Sequence, residues 1–183
     1  MKRHPSFRWL SALFMTAVSV GLVILSGVWY TTARQPYLIS HPIGVTVVGA
    51  DPLDTDLPME PYGVLSAARA LDGQGRTTGY ILVVAQTGYK SVIRLQCTFS
   101  ADGTTLAGVQ VISQDETPYL GSRITSHDFT ASFAGRRMPI KLWTTTTLGS
   151  PVDGLTGSTI SAQAVVDGVN NAHRYLQAYL AAE

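Results

Sequence analysis

The longest apolar stretch of the chain runs from Trp9 to Tyr30, 22 positions without a charged residue. A helix of about 20 apolar residues, rising ~1.5 Å per residue, spans a bilayer core about 30 Å thick. The pattern therefore predicts a transmembrane helix over residues 9–30. The alternative is a cleaved signal peptide, since a Thr-x-Ala site begins at Thr31, but the run is longer than the usual apolar core of such a peptide.

Positive charges flank this stretch unequally. Lys2, Arg3 and Arg8 precede it, and Arg34 alone follows it closely. Because positive residues stay on the cytoplasmic side of a membrane, residues 1–8 are predicted to be cytoplasmic and the rest of the chain to lie outside. In a bacterium, this describes a single-pass protein of the inner (cytoplasmic) membrane with a periplasmic domain.

The next segment, residues 31–74, is predicted to be a tether and the edge of a folded domain. Prolines and acidic residues punctuate it over 34–60. The Ala- and Leu-containing run over 61–71 indicates a short helix. A domain over 75–183 is predicted to follow.

Alternation with a period of two dominates the start of this domain. In Ser91–Phe99 every second residue is apolar, which is typical of a strand with one buried face. Tyr80–Gln86 and Leu106–Ser113 are predicted as its neighbours. The Asp102-Gly103 pair is a strong signal for the hairpin turn between the second and third strands.

Helical spacing takes over at the C-terminus, in Ile160–Leu180. One stripe collects the apolar positions, which are 160, 164, 165, 169, 172, 176, 179 and 180. Ser158 or Thr159 stands where an N-cap is expected. The whole pattern predicts an α+β domain with a small antiparallel sheet and a C-terminal helix.

Composition narrows the possible functions. With 45% hydrophobic and 14% charged residues, the chain is not of the disordered class. A net charge of +1 gives no basic footprint, so a nucleic-acid partner is not expected.

Cys97 is the single cysteine and is predicted to be a buried apolar side chain. The four histidines have no metal-binding spacing, and His127 beside Asp128 is either an acid–base pair or a surface turn.

One segment combines features of an anion site. Asp153–Ser161 holds two glycines, which permit backbone conformations closed to other residues, and leads directly into the predicted helix. It offers four hydroxyls, on Thr156, Ser158, Thr159 and Ser161. A helix N-terminus with unpaired amides suits a phosphate. A simple helix cap is the alternative, since Ser and Thr are common there.

The segment Asp153-x-x-Thr-Gly-Ser-Thr159 resembles the flavinylation motif Asp-x-x-(Ser/Thr)-Gly-Ala-(Thr/Ser) of the FMN-binding domain family. This domain occurs in the G subunit of the Rnf electron transport complex and in the C subunit of the sodium-pumping NADH:quinone reductase. Upstream, Gly88–Ile93 is similar to the family's strand entry. Ser113–Gly121 is similar to its Glu-Thr-Pro-Gly-Leu-Gly loop, with Tyr119 in place of the first glycine.

The resemblance implies one FMN, attached covalently through a phosphoester to Thr159 by a flavin transferase. Ser158 stands where the family usually has alanine. The phosphate is expected against the backbone of Gly157 to Ile160, beside Thr156. Asp153 is expected to be recognised by the transferase, or else to stabilise a turn.

The resemblance also implies that the loop Ser113–Gly121 borders the flavin. Glu116 and Thr117 are expected to lie against it, Thr117 bonding its polar edge and Leu120 packing on its ring. Lys141 either lies near the flavin or phosphate, or is solvated. No catalytic residue and no metal site is expected.

These features together indicate a membrane-anchored flavoprotein of a multisubunit Rnf-type electron transport complex that moves ions, and not a stand-alone catalyst. The alternatives are the C subunit of the sodium-translocating NADH:quinone reductase and an anchored flavoprotein serving an extracytoplasmic reductase. A sensor or scaffold domain with a capped helix is a further, non-redox possibility.

Overall fold

A six-stranded antiparallel sheet forms the body of the computed structural model, which describes residue 45, residues 47–143 and residues 150–183. Each strand of this sheet pairs with its neighbours in chain order. The strands are β1 (Gly49–Pro52), β2 (Val64–Leu71), β3 (Thr77–Thr87), β4 (Val92–Ser100), β5 (Thr105–Ser113) and β6 (Arg136–Arg137). The antiparallel sheet predicted from the sequence is confirmed.

Shorter elements and one long helix complete the described part of the chain. A two-stranded parallel ladder joins β7 (Ile140–Leu142) to β8 (Ser150–Val152). The helices are two 3-10 turns (Glu60–Tyr62 and Gly121–Thr125), α1 (His127–Ala131) and α2 (Thr159–Leu180). His127 and Asp128 open α1 with their side chains almost fully exposed, which fits a surface position for this pair.

The inner face of the sheet carries the core. Leu82 pairs with Cys97 and Val84 with Leu95, so apolar side chains face each other across β3 and β4. The four residues predicted to share this face are fully buried: Ile93, Leu95, Cys97 and Phe99. Burial raises the pKa of the Cys97 thiol, which leaves it a protonated core residue, as predicted.

The predicted hairpin between β4 and β5 is also present. Gly103 has a φ of +66°, a conformation that glycine adopts without strain. The Asp102 carboxylate accepts a hydrogen bond from the hydroxyl of Ser100 and, at 3.0 Å, from the backbone N–H of Thr104. These bonds hold the turn that brings the two strands into register.

The short helix predicted over 61–71 is wrong, because a 3-10 turn gives way at Val64 to strand β2. Val64, Ala67 and Ala70 are buried at intervals of three residues, a spacing that resembles one face of a helix. A register shift between Val64 and Ser66 lets Val64 and Ala67 join the same core cluster, whereas Ala70 lies on the other face of β2 and packs with Val45 and Ala107. Pairing with β3 overrides the helix propensity of the alanines.

Helix α2 packs across the inner face of the sheet. Val165, Val169, Ala172 and Leu176 are fully buried, which confirms most of the predicted stripe. Gly168 allows a close approach, since a Cβ there would lie 2.8 Å from Leu95 Cδ1.

One member of the predicted stripe does not belong to the core. The side chain of Ile160 is 58% exposed. It lies in the first turn of α2, and it borders a cleft beyond the protein core.

The predicted transmembrane segment, residues 9–30, lies outside the residues that the structure describes. In the part of the chain that is described, no helix is both long enough and apolar enough to cross a bilayer. The described end of the 31–74 segment supplies β1 and β2 at one edge of the sheet.

Candidate functional site

A buried carboxylate organises one end of the domain. Glu116 follows β5 and is 3% exposed. It accepts hydrogen bonds from three consecutive backbone N–H groups of the β3–β4 turn: those of Tyr89 at 3.1 Å, Lys90 at 2.9 Å and Ser91 at 2.8 Å. A run of aligned N–H groups is the way a backbone stabilises a negative charge.

Two hydroxyls complete the shell of this carboxylate. The Ser91 hydroxyl donates at 3.0 Å to Oε1, and the Ser161 hydroxyl, in the first turn of α2, donates to Oε2. Glu116 thereby joins three segments: the β3–β4 turn, the loop after β5 and the start of α2.

Glu116 is held as a carboxylate. Burial alone would raise its pKa, but the hydrogen bonds from Ser161, Lys90 and Ser91 outweigh burial and lower the pKa to about 2. The side chain is therefore charged at neutral pH.

Two glycines allow the segments to meet around this group. A Cβ at Gly88 would lie 2.7 Å from Glu116 Oε1, and a Cβ at Gly121 would lie 2.7 Å from Ser161 Oγ. Any other residue at either position would force these neighbouring side chains to shift.

The hydroxyl-rich motif forms the turn into α2. Gly157 has a φ of +79°, and the Ser158 N–H donates to the carbonyl of Leu155 at 2.9 Å. Ser158 occupies the N-cap position, and its carbonyl accepts the N–H of Ala162 at 2.9 Å. The predicted helix start is confirmed.

Ser158 does not act as the simple helix cap that was the alternative to an anion site. The Ser158 side chain makes no capping hydrogen bond, and its hydroxyl is buried without a partner. Buried hydroxyls are normally hydrogen-bonded, so an unpaired one beside a helix N-terminus needs an explanation. Thr159, the next residue, is exposed.

These segments enclose an open cleft of about 560 Å³. The volume falls in the range typical of cofactor and ligand sites. It is lined by Tyr89, Thr117, Leu120, Gly121, Gly157, Ser158, Thr159, Ile160 and Ser161. The hydroxyls of Ser158, Thr159 and Ser161 and the helix N-terminus lie on the α2 side, whereas Thr117 and Leu120 come from the loop after β5.

Five of the site residues predicted from the sequence line this cleft: Thr117, Leu120, Gly157, Ser158 and Thr159. The carboxylate of Glu116 is not on the lining, because it is buried with the protein's own donors. Its role is to position the elements that do line the cleft.

The other three predicted site residues, Asp153, Thr156 and Lys141, are exposed and do not line the cleft. The carbonyl of Thr156 accepts a hydrogen bond from the Arg123 guanidinium at 3.2 Å, which ties the motif to the loop after β5. Lys141 lies on β7.

Two lining residues, Tyr89 and Gly121, are not predicted from the sequence. They belong to segments that resemble the family, but nothing in the pattern assigns them to a site. Ser161 is predicted among the hydroxyls of the anion site, and Ile160 is predicted to offer its backbone to the phosphate but its side chain to the apolar stripe of the helix. Their positions depend on how three distant segments meet, which no local pattern encodes.

A second, larger groove of about 750 Å³ runs along α2 and has polar lining residues. Asn170, in this groove, is used structurally: its amide bonds both the N–H and the carbonyl of Ile140. No group of three or more potential metal-ligating side chains occurs within the described residues.

The chain is similar to known proteins in sequence and in fold. Residues 88–174 match the FMN-binding domain family. The G subunit of the ion-translocating oxidoreductase complex of Methanosarcina acetivorans is 31% identical over 169 residues, covering 92% of this chain and 86% of that protein. The G subunit of the same complex in Yersinia pestis is also 31% identical, covering 97% and 90%. NqrC of Shewanella oneidensis, at 14% identity and a TM-score of 0.56, covers 78% of this chain and 75% of its own and shares the fold.

Proposed function

Because the chain belongs to the FMN-binding family of G subunits of ion-translocating oxidoreductase complexes, we propose that it is the flavin-carrying subunit of a complex of the Rnf type. In this role it relays electrons through one FMN, attached covalently to Thr159. NqrC, the corresponding subunit of the sodium-translocating NADH:quinone reductase, has the same fold at low identity, so it stands as a relative and not as the favoured function.

The single observation that carries this proposal is the arrangement at the start of α2. Exposed Thr159 and the buried, unpartnered hydroxyl of Ser158 adjoin the N-terminus of a 22-residue helix. Amides and the partial positive charge of such an end favour a phosphate. The residues present therefore fit a phosphoester: Thr159 offers the oxygen and Ser158 a spare donor.

The rest of the cleft fits a flat aromatic group with a polar edge. Leu120 and Tyr89 supply apolar surface, and Thr117 supplies a hydroxyl. FMN, when bound, supplies the ability to accept and release electrons, for which the twenty amino acids have no equivalent. Glu116 contributes by fixing the positions of Tyr89 and the first turn of α2.

The chain does not supply the chemistry of attachment. A threonine hydroxyl is a weak nucleophile and requires a base or a metal to react with a phosphate. Glu116 is a poor base because its pKa is about 2 and its oxygens are engaged. A separate flavin transferase is therefore part of the proposal, with exposed Asp153 as a recognition point.

The membrane setting is proposed from the sequence. Residues 9–30 anchor the chain, residues 1–8 remain cytoplasmic and the flavin domain lies in the periplasm. A covalent bond keeps the cofactor in place where a dissociated flavin would be lost. The partners are the other subunits of the complex.

The test is the intact mass of the full chain, expressed with a flavin transferase and purified in detergent. The wild type should gain about 438 Da, one FMN less one water, and remain yellow after denaturation. Thr159→Ala should show neither property. Thr159→Ser is the matched control, since it keeps the hydroxyl and should retain the added mass.

Two results would contradict the proposal. An unmodified wild-type mass would remove the covalent flavin. A modified Thr159→Ala protein would move the attachment to another hydroxyl, and Ser158→Ala would then show whether Ser158 is the acceptor.

A further inference from the structure

A tight turn stands beside the cleft, at Thr117–Leu120. The Leu120 N–H donates to the carbonyl of Thr117 at 3.2 Å, and Pro118 and Tyr119 are the two central residues. Tyr119 has a φ of +62°. Proline at the first central position and a positive φ at the second are the features of a type II turn, which normally requires glycine at the second.

Tyrosine is strained in this conformation, because its Cβ crowds the backbone. Within the described residues, no compensating contact is found: Tyr119 makes no side-chain hydrogen bond or ring contact and is 91% exposed. Strained residues persist where function requires them. The turn keeps a large aromatic ring where a glycine would be more stable, and that ring packs on nothing in the described part of the chain.

The turn has a defined position relative to the cleft. Thr117 on one flank and Leu120 and Gly121 on the other all line it. Leu120 also approaches Gly157 of the motif, since a Cβ there would lie 3.3 Å from Leu120 Cδ2. Tyr119 lies between these flanks, at the rim of the cleft, and its own side chain is exposed and is not among those that line the cleft.

We propose that Tyr119 shields the FMN ring at the cleft mouth, excluding solvent from it. This inference rests on the proposed function, because it needs the flavin in the cleft. An aromatic ring is suited to the role, since it offers a large rigid surface with few rotatable bonds and stacks on flat π systems. The protective contact of the ring with the flavin would then explain why a strained tyrosine occupies this position in place of glycine.

The experiment uses the flavinylated full chain in detergent as wild type, Tyr119→Gly and Tyr119→Phe. Two properties are measured: flavin fluorescence, and its quenching by iodide, which reports solvent access to the flavin. A tyrosine in contact with a flavin quenches its fluorescence by donating an electron to the excited ring, whereas phenylalanine is too difficult to oxidise.

The two variants therefore distinguish solvent shielding by the ring from quenching by the tyrosine. Tyr119→Gly should be several-fold brighter than wild type and several-fold more sensitive to iodide. Tyr119→Phe should be brighter as well but keep the low iodide sensitivity of the wild type. The melting temperature of the apo chain should rise in Tyr119→Gly, because the turn loses its strain.

The inference is overturned if attached flavin in Tyr119→Gly is as dim and as inaccessible to iodide as in the wild type. The exposed ring would then be assigned to contact with a partner protein. A lower melting temperature in Tyr119→Gly would overturn the strain argument. A wild type without attached flavin, seen by mass, would defeat the proposed function and this inference together.

Discussion

The Ser161 hydroxyl donates a hydrogen bond to the carboxylate of Glu116, a residue 45 positions earlier in the chain. The same carboxylate holds the backbone of the β3–β4 turn through Lys90 and Ser91. One buried charge thus ties the first turn of α2 to the opposite wall of the cleft. The shape of the site therefore depends on Glu116, a residue that does not itself line the cleft.

Glu116→Gln should destabilise the domain. The amide keeps one acceptor oxygen but places an NH₂ group among donors, so buried N–H or O–H groups lose their partner. We expect the free energy of unfolding to fall by about 2–4 kcal/mol, measured by urea denaturation of the full chain in detergent.

Asp115→Asn is the matched control for this change. Asp115 is the preceding residue, and its exposed carboxylate pairs with Lys90 at 3.1 Å. An exposed ion pair is worth about 0–1 kcal/mol, so this variant should unfold close to the wild type. Equal losses in both variants would show that Glu116 has no special structural role.

Acid should remove the contribution of Glu116. Its pKa falls from an ordinary 4.5 to about 2 on folding, so the unfolded chain binds more protons than the folded chain between these values. The stabilisation is full above pH 4.5 and is lost as the pH falls towards 2. The stability difference between wild type and Glu116→Gln should shrink over this window, and a difference independent of pH would contradict the assignment.

Local patterns in the sequence were sufficient for much of the fold. Alternation located β4, Asp102-Gly103 located its hairpin, and helical spacing located α2. These signals are reliable because each depends on neighbours within one element. The run over 61–71 misled because β2 buries residues on both of its faces, and these residues have a helix-like spacing without sharing a face.

The site was less accessible to sequence reasoning. The motif around Thr159 was recognisable, since it is contiguous. The hydrogen bonds that join Glu116 to Tyr89, Lys90, Ser91 and Ser161, here called the Glu116 clamp, were not recognisable. The partners lie 25 to 45 positions away, and three of the bonds come from backbone N–H groups, which any residue type can supply. Ile160 was misassigned for a related reason: periodicity gives a helix face, but not where the core beneath that face ends.

Gly121→Ala should destabilise the domain, because its Cβ would collide with two members of the Glu116 clamp. The new Cβ would lie 2.7 Å from Ser161 Oγ and 2.8 Å from Glu116 Cβ. Overpacking of this kind costs about 1–3 kcal/mol. Gly73→Ala is the control, since a Cβ there meets nothing within 4 Å. Circular dichroism melts of both variants would test this, and an unchanged melting temperature for Gly121→Ala would contradict the contact.

Ser158→Ala should separate a phosphate donor from a helix cap. An N-cap serine that bonds the helix backbone loses about 1 kcal/mol of stability when changed to alanine. Ser158 makes no such bond, and its buried hydroxyl has no partner. Removing an unsatisfied buried polar group stabilises a fold. The apo variant should therefore unfold at higher urea concentration than the apo wild type.

Ser161→Ala provides the contrast in the same turn of α2. Its hydroxyl bonds the Glu116 carboxylate, so its loss should lower the free energy of unfolding by about 1.5–3 kcal/mol. Opposite signs for the two serines in urea denaturation would show that one hydroxyl is structural and the other is free for a ligand. A loss of stability in both would return Ser158 to the role of a conventional cap and weaken the phosphate site.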